Sequence, residues 1–297
     1  MKQLPFTGSG VAIVTPFTDN HEIDYNTLSE LIEMHIERKT DAIIICGTTG
    51  EASAMPDDEH LAAIAFTVKQ AHHRIPIIAG TGSNDTHHAI NLSKRAAQLG
   101  ADALLSVTPY YNKANKSGVI AHFKAIAEAV DIPIILYNVP SRTGMNFSLE
   151  VLKELAKIDN IVGLKEASGN ISYTAKVAAE VPELYLYSGN DDMIVPMMSL
   201  GGKGVISVVA NILPDETHDI CEMFINGNVE GSRKLQLEML DLINKLFIEV
   251  NPVPVKSAMK ELGYNVGNLR LPLGPMDENN LKTLMASLEA FGVKKLY

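Results

Sequence analysis

The sequence predicts an α/β protein: a (β/α)8 barrel of the TIM type with a C-terminal helical extension. Three observations carry that expectation. Short apolar runs rich in Val and Ile recur along the chain to about residue 211, each too short for a helix and so read as a strand. The runs are continuous rather than alternating in hydrophobicity, which marks strands buried on both faces of a parallel sheet. Helical patterns fill the intervals between them, so strand and helix alternate.

The strand runs are "GVAIVTP" (10–16), "DAIIICG" (41–47), "IPIIAGTG" (75–82), "ADALLSVTP" (101–109), "IPIILYNVP" (132–140), "NIVGLKEAS" (160–168), "LYLYSGN" (184–190) and "GVISVVAN" (204–211). Eight βα units in one chain point to a closed barrel. A doubly wound open sheet is the competing architecture. Its dinucleotide-binding form needs GxGxxG after the first strand, and "GSGVAIVTPF" lacks it.

The helices follow from their spacing. "DYNTLSELIEMHIERK" places Leu28, Leu31, Ile32 and Ile36 on one face, and "DDEHLAAIAFTVKQA" does the same with Leu61, Ile64, Ala65 and Val68. "NDTHHAINLSKRAAQLG" closes on Gly100, placed to terminate a helix, and "SLEVLKELAKI" opens on the N-cap residue Ser148. Beyond the barrel, "EGSRKLQLEMLDLINKLFIEV", "PVPVKSAMKELG" and "DENNLKTLMASLEAFG" also carry helical periodicity. The expected division is a catalytic barrel over residues 1–225 and a helical region over 226–297 packed on it, with no linker between them.

Composition narrows the function classes. The 297 residues are 46% apolar and 20% charged, an ordinary globular mixture, and the formal charge of −10 argues against a nucleic-acid partner. Cys46 and Cys221 show no paired spacing, so a reducing cytoplasm is expected. The N-terminal "MKQLPFTGSG" lacks an apolar signal core, and no apolar run approaches membrane-spanning length. The chain reads as cytoplasmic, with no membrane partner.

In a barrel of this kind chemistry sits at the C-terminal ends of the strands. Those ends here carry Thr48, Thr49 and Glu51, then Thr81, then Tyr110 and Tyr111, then Tyr137 and Asn138 with Arg142 beyond, then Lys165 and Glu166, then Gly189 to Asp191. Lys165 stands where an apolar run ends. Ile161, Gly163 and Lys165 share one face by strict alternation, and Val162, Leu164 and Glu166 the other. If Lys165 faces inward, Gly163 lies one layer below and leaves it space. Burial lowers an amine pKa, and a neutral amine attacks a carbonyl to form a Schiff base. A lysine snorkelling from a strand end is the structural alternative. Tyr137 offers a hydroxyl for proton transfer or is a half-buried core tyrosine. The "GTTGE" turn offers the Thr48 and Thr49 amides to an anion or is simply a tight turn. Arg142 clamps a carboxylate or lies on the surface.

Other features carry less. The His pairs at 72–73 and 87–88 diverge on a helix, no histidine or carboxylate group has metal-ligand spacing, and no metal is expected. "GGKG" at 201–204 lacks P-loop spacing, and Cys46 reads as a small buried hydrophobe.

Taken together, "GTTGE" (47–51), "YYNK" (110–113), "YNVPSRTG" (137–144), "GLKEASGN" (163–170) and "NPVPVK" (251–256) resemble the dihydrodipicolinate synthase family, in order and at the expected spacing along essentially the whole chain. The resemblance implies a barrel with a C-terminal helical region and a condensation of pyruvate with L-aspartate 4-semialdehyde, the committed step toward diaminopimelate and lysine. It implies no cofactor, because pyruvate is held as a Schiff base on Lys165. Tyr137, Thr48 and Tyr111 would form a proton relay, with Tyr111 reaching into a neighbouring subunit of a homotetramer built as a dimer of dimers. Thr48 and Thr49 amides would hold the pyruvate carboxylate, Arg142 that of the aldehyde, and Gly189 and the Ile206 main chain would shape the pocket. The sister N-acetylneuraminate lyases share barrel and lysine, but typically carry a serine where Thr48 stands and a threonine where Ala167 stands. A barrel that binds 2-oxo acids as a sensor without turnover is the alternative of another class. The family's lysine-effector site maps onto Ala52, Ser53, Asp57, His60, Asn84, His88 and Tyr110. His60, Asn84 and Tyr110 fit the inhibited pattern. Asp57 and His88 replace the usual histidine and glutamate, which implies weak or absent inhibition.

Overall fold

The computed structural model describes residues 2–295. Eight strands pair in parallel as a closed barrel in chain order. Strand and helix alternate as β1 (Gly8–Ala12), α1 (Tyr25–Glu37), β2 (Ala42–Ile45), α2 (Asp57–Ala71), β3 (Ile77–Gly80), α3 (Thr86–Gln98), β4 (Ala103–Val107) and α4 (Lys116–Ala127). They continue with β5 (Ile134–Asn138), the single turn α5 (Pro140–Thr143), α6 (Leu149–Leu155), β6 (Ile161–Glu166), α7 (Ile171–Glu180), β7 (Tyr185–Ser188), α8 (Ile194–Ser199), β8 (Gly204–Ser207) and α9 (Pro214–Ile225). The C-terminal helices are α10 (Val229–Glu238), α11 (Leu240–Lys245), α12 (Val253–Glu261) and α13 (Glu278–Phe291). The (β/α)8 fold is thus the one the apolar runs predict. The helical pattern over 230–250 is interrupted at Met239, whose fully buried side chain anchors the junction of α10 and α11.

Local chemistry explains the ends of several elements. The Ser148 hydroxyl accepts from the Val151 amide at 3.3 Å and starts α6. After α3 the chain turns at Gly100, φ 94°, with the Gly100 amide on the Ala97 carbonyl and the Ala101 amide on the Ala96 carbonyl. That paired arrangement satisfies carbonyls the helix leaves open.

Two apolar clusters divide the protein. The larger fills the layer between barrel and helices; the smaller, with Phe6, Ala42, Ile44, Ile78, Leu105, Ile135, Tyr137, Tyr187 and Ile206, fills the barrel. Phe6, just before β1, stacks on Tyr187 at 4.5 Å and accepts its hydroxyl proton at the carbonyl, 2.7 Å away, which closes the end opposite the site.

Strict alternation fails in β6. Ile134 pairs with Ile161 but Ile135 pairs with Gly163, so Val162 is an extra residue against β5. Ile161 therefore packs in the outer layer with Leu164 rather than sharing the face of Lys165. Gly163 also differs from its expected role. A Cβ there would lie 2.9 Å from the Tyr185 carbonyl and 3.4 Å from the Tyr187 ring, so the glycine makes room for the neighbouring tyrosines and not for the lysine.

Candidate active site

Lys165 is the penultimate residue of β6, inside the barrel mouth. It is 6% exposed, flanked in register by Tyr137 on β5 and Tyr187 on β7. Its Nζ lies 4.4 Å from the centre of the Tyr137 ring. Burial pushes the amine down to about 8, the nearby Asp191 carboxylate opposes that shift, and Arg142 adds to it. An amine in that range keeps a minor but usable neutral fraction near neutral pH, far larger than an ordinary lysine has, and that fraction is the nucleophile. The snorkelling alternative fails because the side chain ends among ring faces rather than in water.

The two flanking phenols are not equivalent. The Tyr187 hydroxyl donates a hydrogen bond to the Phe6 carbonyl at the far end. The Tyr137 hydroxyl has the Thr48 side chain beside it; burial raises its pKa, opposed by Arg142 and Thr48. Thr48 and Thr49 sit in the turn after β2, and Thr49 is buried with its Oγ1 accepting from Asn251 Nδ2 at 3.1 Å. Arg142 projects from α5, exposed, with Nη2 donating to the Asn251 carbonyl at 2.9 Å. Asn251 thus joins the two groups expected to hold carboxylates.

Gly189 abuts Lys165. A Cβ at that position would lie 3.1 Å from Lys165 Cε and 2.6 Å from the Ala167 Cβ. Ile206 is buried in the barrel cluster beside the mouth. Tyr111 is not gathered with these residues. It is 89% exposed, on a left-handed backbone of φ 71°.

Three contributors carried no role in the motif reading. Asp191 is buried, its Oδ2 accepting from the Val208 and Val209 amides at 3.0 and 3.1 Å, with Ser207 nearby. Burial raises its pKa and those donors oppose the shift. Its only sequence signal was its place just past a strand end. Asn251 opens the "NPVPVK" motif and Tyr187 lies in the seventh strand run, but no local feature assigns either of them a part in the site. Glu166 faces the helix layer, as alternation from Lys165 requires, and accepts from Asn138 and Ser168.

The remaining residues lie elsewhere. His60 is buried with Nε2 2.8 Å from the Gly80 carbonyl, and Asp57 Oδ1 meets His88 Nε2 at 2.9 Å. The Asn84 carbonyl accepts from Asn112, and Tyr110 is exposed. Cys46 is buried, with its thiol pKa pushed up. One grouping departs from the reading that no metal-ligand spacing exists: His218, Asp219 and Glu222 on α9 bring ligand atoms within 4.8 Å. Asp41 and Glu222 already flank the two nitrogens of His218 at 2.9 and 3.2 Å. No helix among the described residues is long and apolar enough to cross a membrane.

Comparison with known proteins bears on the fold and the family. The model of the Dihydrodipicolinate synthetase family matches residues 5–291. A 4-hydroxy-tetrahydrodipicolinate synthase of Caldicellulosiruptor bescii is 59% identical over 288 residues, covering 97% of this chain and 98% of that one. One of Acetivibrio thermocellus is 55% identical over 294 residues, covering 99% and 100%. The crystal structure of a chloride-inhibited dihydrodipicolinate synthase from Acinetobacter baumannii, complexed with pyruvate, superposes with a TM-score of 0.94 at 44% identity, over 97% of this chain and 99% of that one. With a model spanning nearly its whole length and relatives this similar, the chain belongs to the dihydrodipicolinate synthetase family.

Proposed function

We propose that this protein is a 4-hydroxy-tetrahydrodipicolinate synthase, a lyase that condenses pyruvate with L-aspartate 4-semialdehyde. The observation that carries the reading is the buried amine of Lys165 beside Tyr137, in a chain whose relatives bear that name over their full length.

The Lys165 amine adds to the C2 carbonyl of pyruvate and water leaves, forming an iminium. Loss of a methyl proton gives the enamine, whose carbon attacks the aldehyde. The substrate's own amine then adds to the imine carbon and releases Lys165. Tyr137, hydrogen-bonded to Thr48, passes protons in these steps, and Tyr111 of an adjoining subunit completes the relay. The Thr48 and Thr49 amides receive the pyruvate carboxylate and Arg142 that of the aldehyde. Gly189 and the Ile206 main chain line the pocket. The protein supplies no cofactor to this chemistry and no metal. The working form in this reading is an oligomer, a dimer of dimers, and the exposure of Tyr111 fits a role at a subunit contact. Catalysis belongs to residues 1–225, and residues 226–297 brace that site through Asn251. The cytoplasm is the expected compartment.

Lysine inhibits weakly or not at all in this reading. Asp57 and His88 pair with each other, so no free carboxylate is offered to an ammonium there. Half-inhibition at sub-millimolar lysine in a steady-state assay would contradict that.

The direct test is incubation with pyruvate and borohydride followed by peptide mass mapping. A label on the Lys165 peptide, together with consumption of aspartate semialdehyde, is expected. An unlabelled Lys165 peptide overturns the Schiff-base reading.

A further inference from the structure

Lys165 and Tyr137 face each other because β5 and β6 pair them in register. That register is not inherited from the bottom of the barrel. Val162 inserts an extra residue between the Ile134–Ile161 and Ile135–Gly163 pairs. A one-residue slip carries every side chain to the opposite face of a strand. Something above the irregularity must therefore hold Tyr137 opposite Lys165 on the inner face.

The next pair up the ladder is Asn138 with Glu166, on the outer face, and both residues are buried. Asn138 Nδ2 donates to Glu166 Oε2 at 2.7 Å. Glu166 Oε1 accepts from the Ser168 amide at 2.6 Å, and Asn138 Oδ1 from the Phe147 amide at 3.2 Å. The link joins the two strands and ties each to the loop that leaves it. A charge-assisted hydrogen bond in a buried setting has a narrow geometry.

We propose that Asn138 and Glu166 are positioning residues for the condensation: their cross-strand bond, one step beyond the catalytic pair and on the opposite face, sets the placement of the Lys165 amine against the Tyr137 hydroxyl. The inference rests on the Schiff-base reading above.

Polarity reversal tests it. Glu166→Gln sets two amide donors against each other, and Asn138→Asp sets two carboxylates against each other. The double variant restores one donor to one acceptor, and the Asn146 amide, whose Oδ1 accepts from Asn138 Nδ2 at 2.6 Å in the parent, turns its nitrogen toward the new aspartate. In it the new glutamine oxygen can still accept from the Ser168 amide, and the new aspartate from the Phe147 amide. Each single variant should trap pyruvate under borohydride at about one tenth of the parent rate or less, with kcat reduced more than the KM for the aldehyde. The double variant should return to within about threefold of the parent. Should a single variant not fold, Glu166→Asp, which keeps the charge and shortens the reach, replaces it and should show the same loss. Unchanged trapping in the single variants, or a double variant no better than either, overturns the inference. Absence of a label in the parent chain overturns the Schiff-base reading and this inference with it, whereas a labelled parent with unaffected variants overturns this inference alone.

Discussion

Lys256 on α12 and Glu51 in the turn after β2 form an ion pair of 2.7 Å, Nζ to Oε1, with each side chain 1% exposed. Lys256 Nζ also sits 4.1 Å over the Phe17 ring, and the second oxygen of Glu51 accepts the Arg270 amide at 2.8 Å. The turn bearing Thr48 and Thr49 is thus gripped by the C-terminal region. Lys256→Met strands a buried carboxylate and should cost about 3–5 kcal/mol of stability in denaturant unfolding. Adding Glu51→Gln should recover much of that loss. A single variant as stable as the parent would show that the pair does not hold this junction.

Asn251 ties Thr49 to Arg142 through bonds of 3.1 and 2.9 Å, one from its side chain and one to its carbonyl. Asn251→Ala removes only the first. It should raise the KM for pyruvate more than that for the aldehyde, and cost about 1 kcal/mol of stability. Steady-state kinetics with each substrate varied in turn would check the order.

Burial holds the Lys165 amine at about 8, and in the proposed reaction the neutral amine is the nucleophile. Pyruvate trapping should therefore rise with pH up to about 8 and fall about tenfold per unit on the acid side. Asp191→Asn removes the carboxylate that holds this pKa up, so the acid limb should move to lower pH. The folded amine also sheds its proton before the unfolded one. Its contribution to stability grows as pH rises from about 8 toward the ordinary lysine value, because the unfolded chain binds more protons there. An acid limb unmoved by Asp191→Asn would separate that carboxylate from the amine.

Gly189→Ala would place a methyl 3.1 Å from Lys165 Cε and closer still to Ala167. The lysine must shift, and catalysis is sensitive to small displacements. A loss of about tenfold or more in kcat is expected, with a melting temperature lowered by only a few degrees. Full activity in this variant would show that Lys165 tolerates displacement.

Tyr111 is 89% exposed in the isolated subunit, so in the proposed relay it acts on the site of a second subunit. Lys165→Ala and Tyr111→Phe should each be nearly inactive. Mixed by co-refolding, they should regain roughly one quarter of parental activity, since half the dimers are hybrid and one of their two sites is whole. No recovery on mixing would place the role of Tyr111 within its own chain or remove it.

Much of this was legible beforehand because it depends on periodicity and on local backbone chemistry. The eight apolar runs, the helix start at Ser148, the turn at Gly100 and the polar rim follow from residue types a few positions apart. Lys165, Tyr137, Thr48, Thr49, Arg142 and Gly189 were named from motifs, and they lie together at the barrel mouth, with Arg142 at its exposed edge.

What the tertiary structure decided concerns residues far apart in the chain. Val162 is an extra residue only in relation to β5, so the outward turn of Ile161 and the pairing of Lys165 with Tyr137 were invisible in the run "NIVGLKEAS". Gly163 serves Tyr185 and Tyr187, which lie more than twenty residues away. Asn251 reaches Thr49 across 202 positions and Lys256 reaches Glu51 across 205. The sequence by itself determined the repeating units and the chemistry available at their ends, because hydrophobic period and residue type are local properties. Barrel closure alone decided which side chains touch and which phenol stays free. Contact, burial and the resulting shift of an amine's pKa depend on the neighbours that closure brings in.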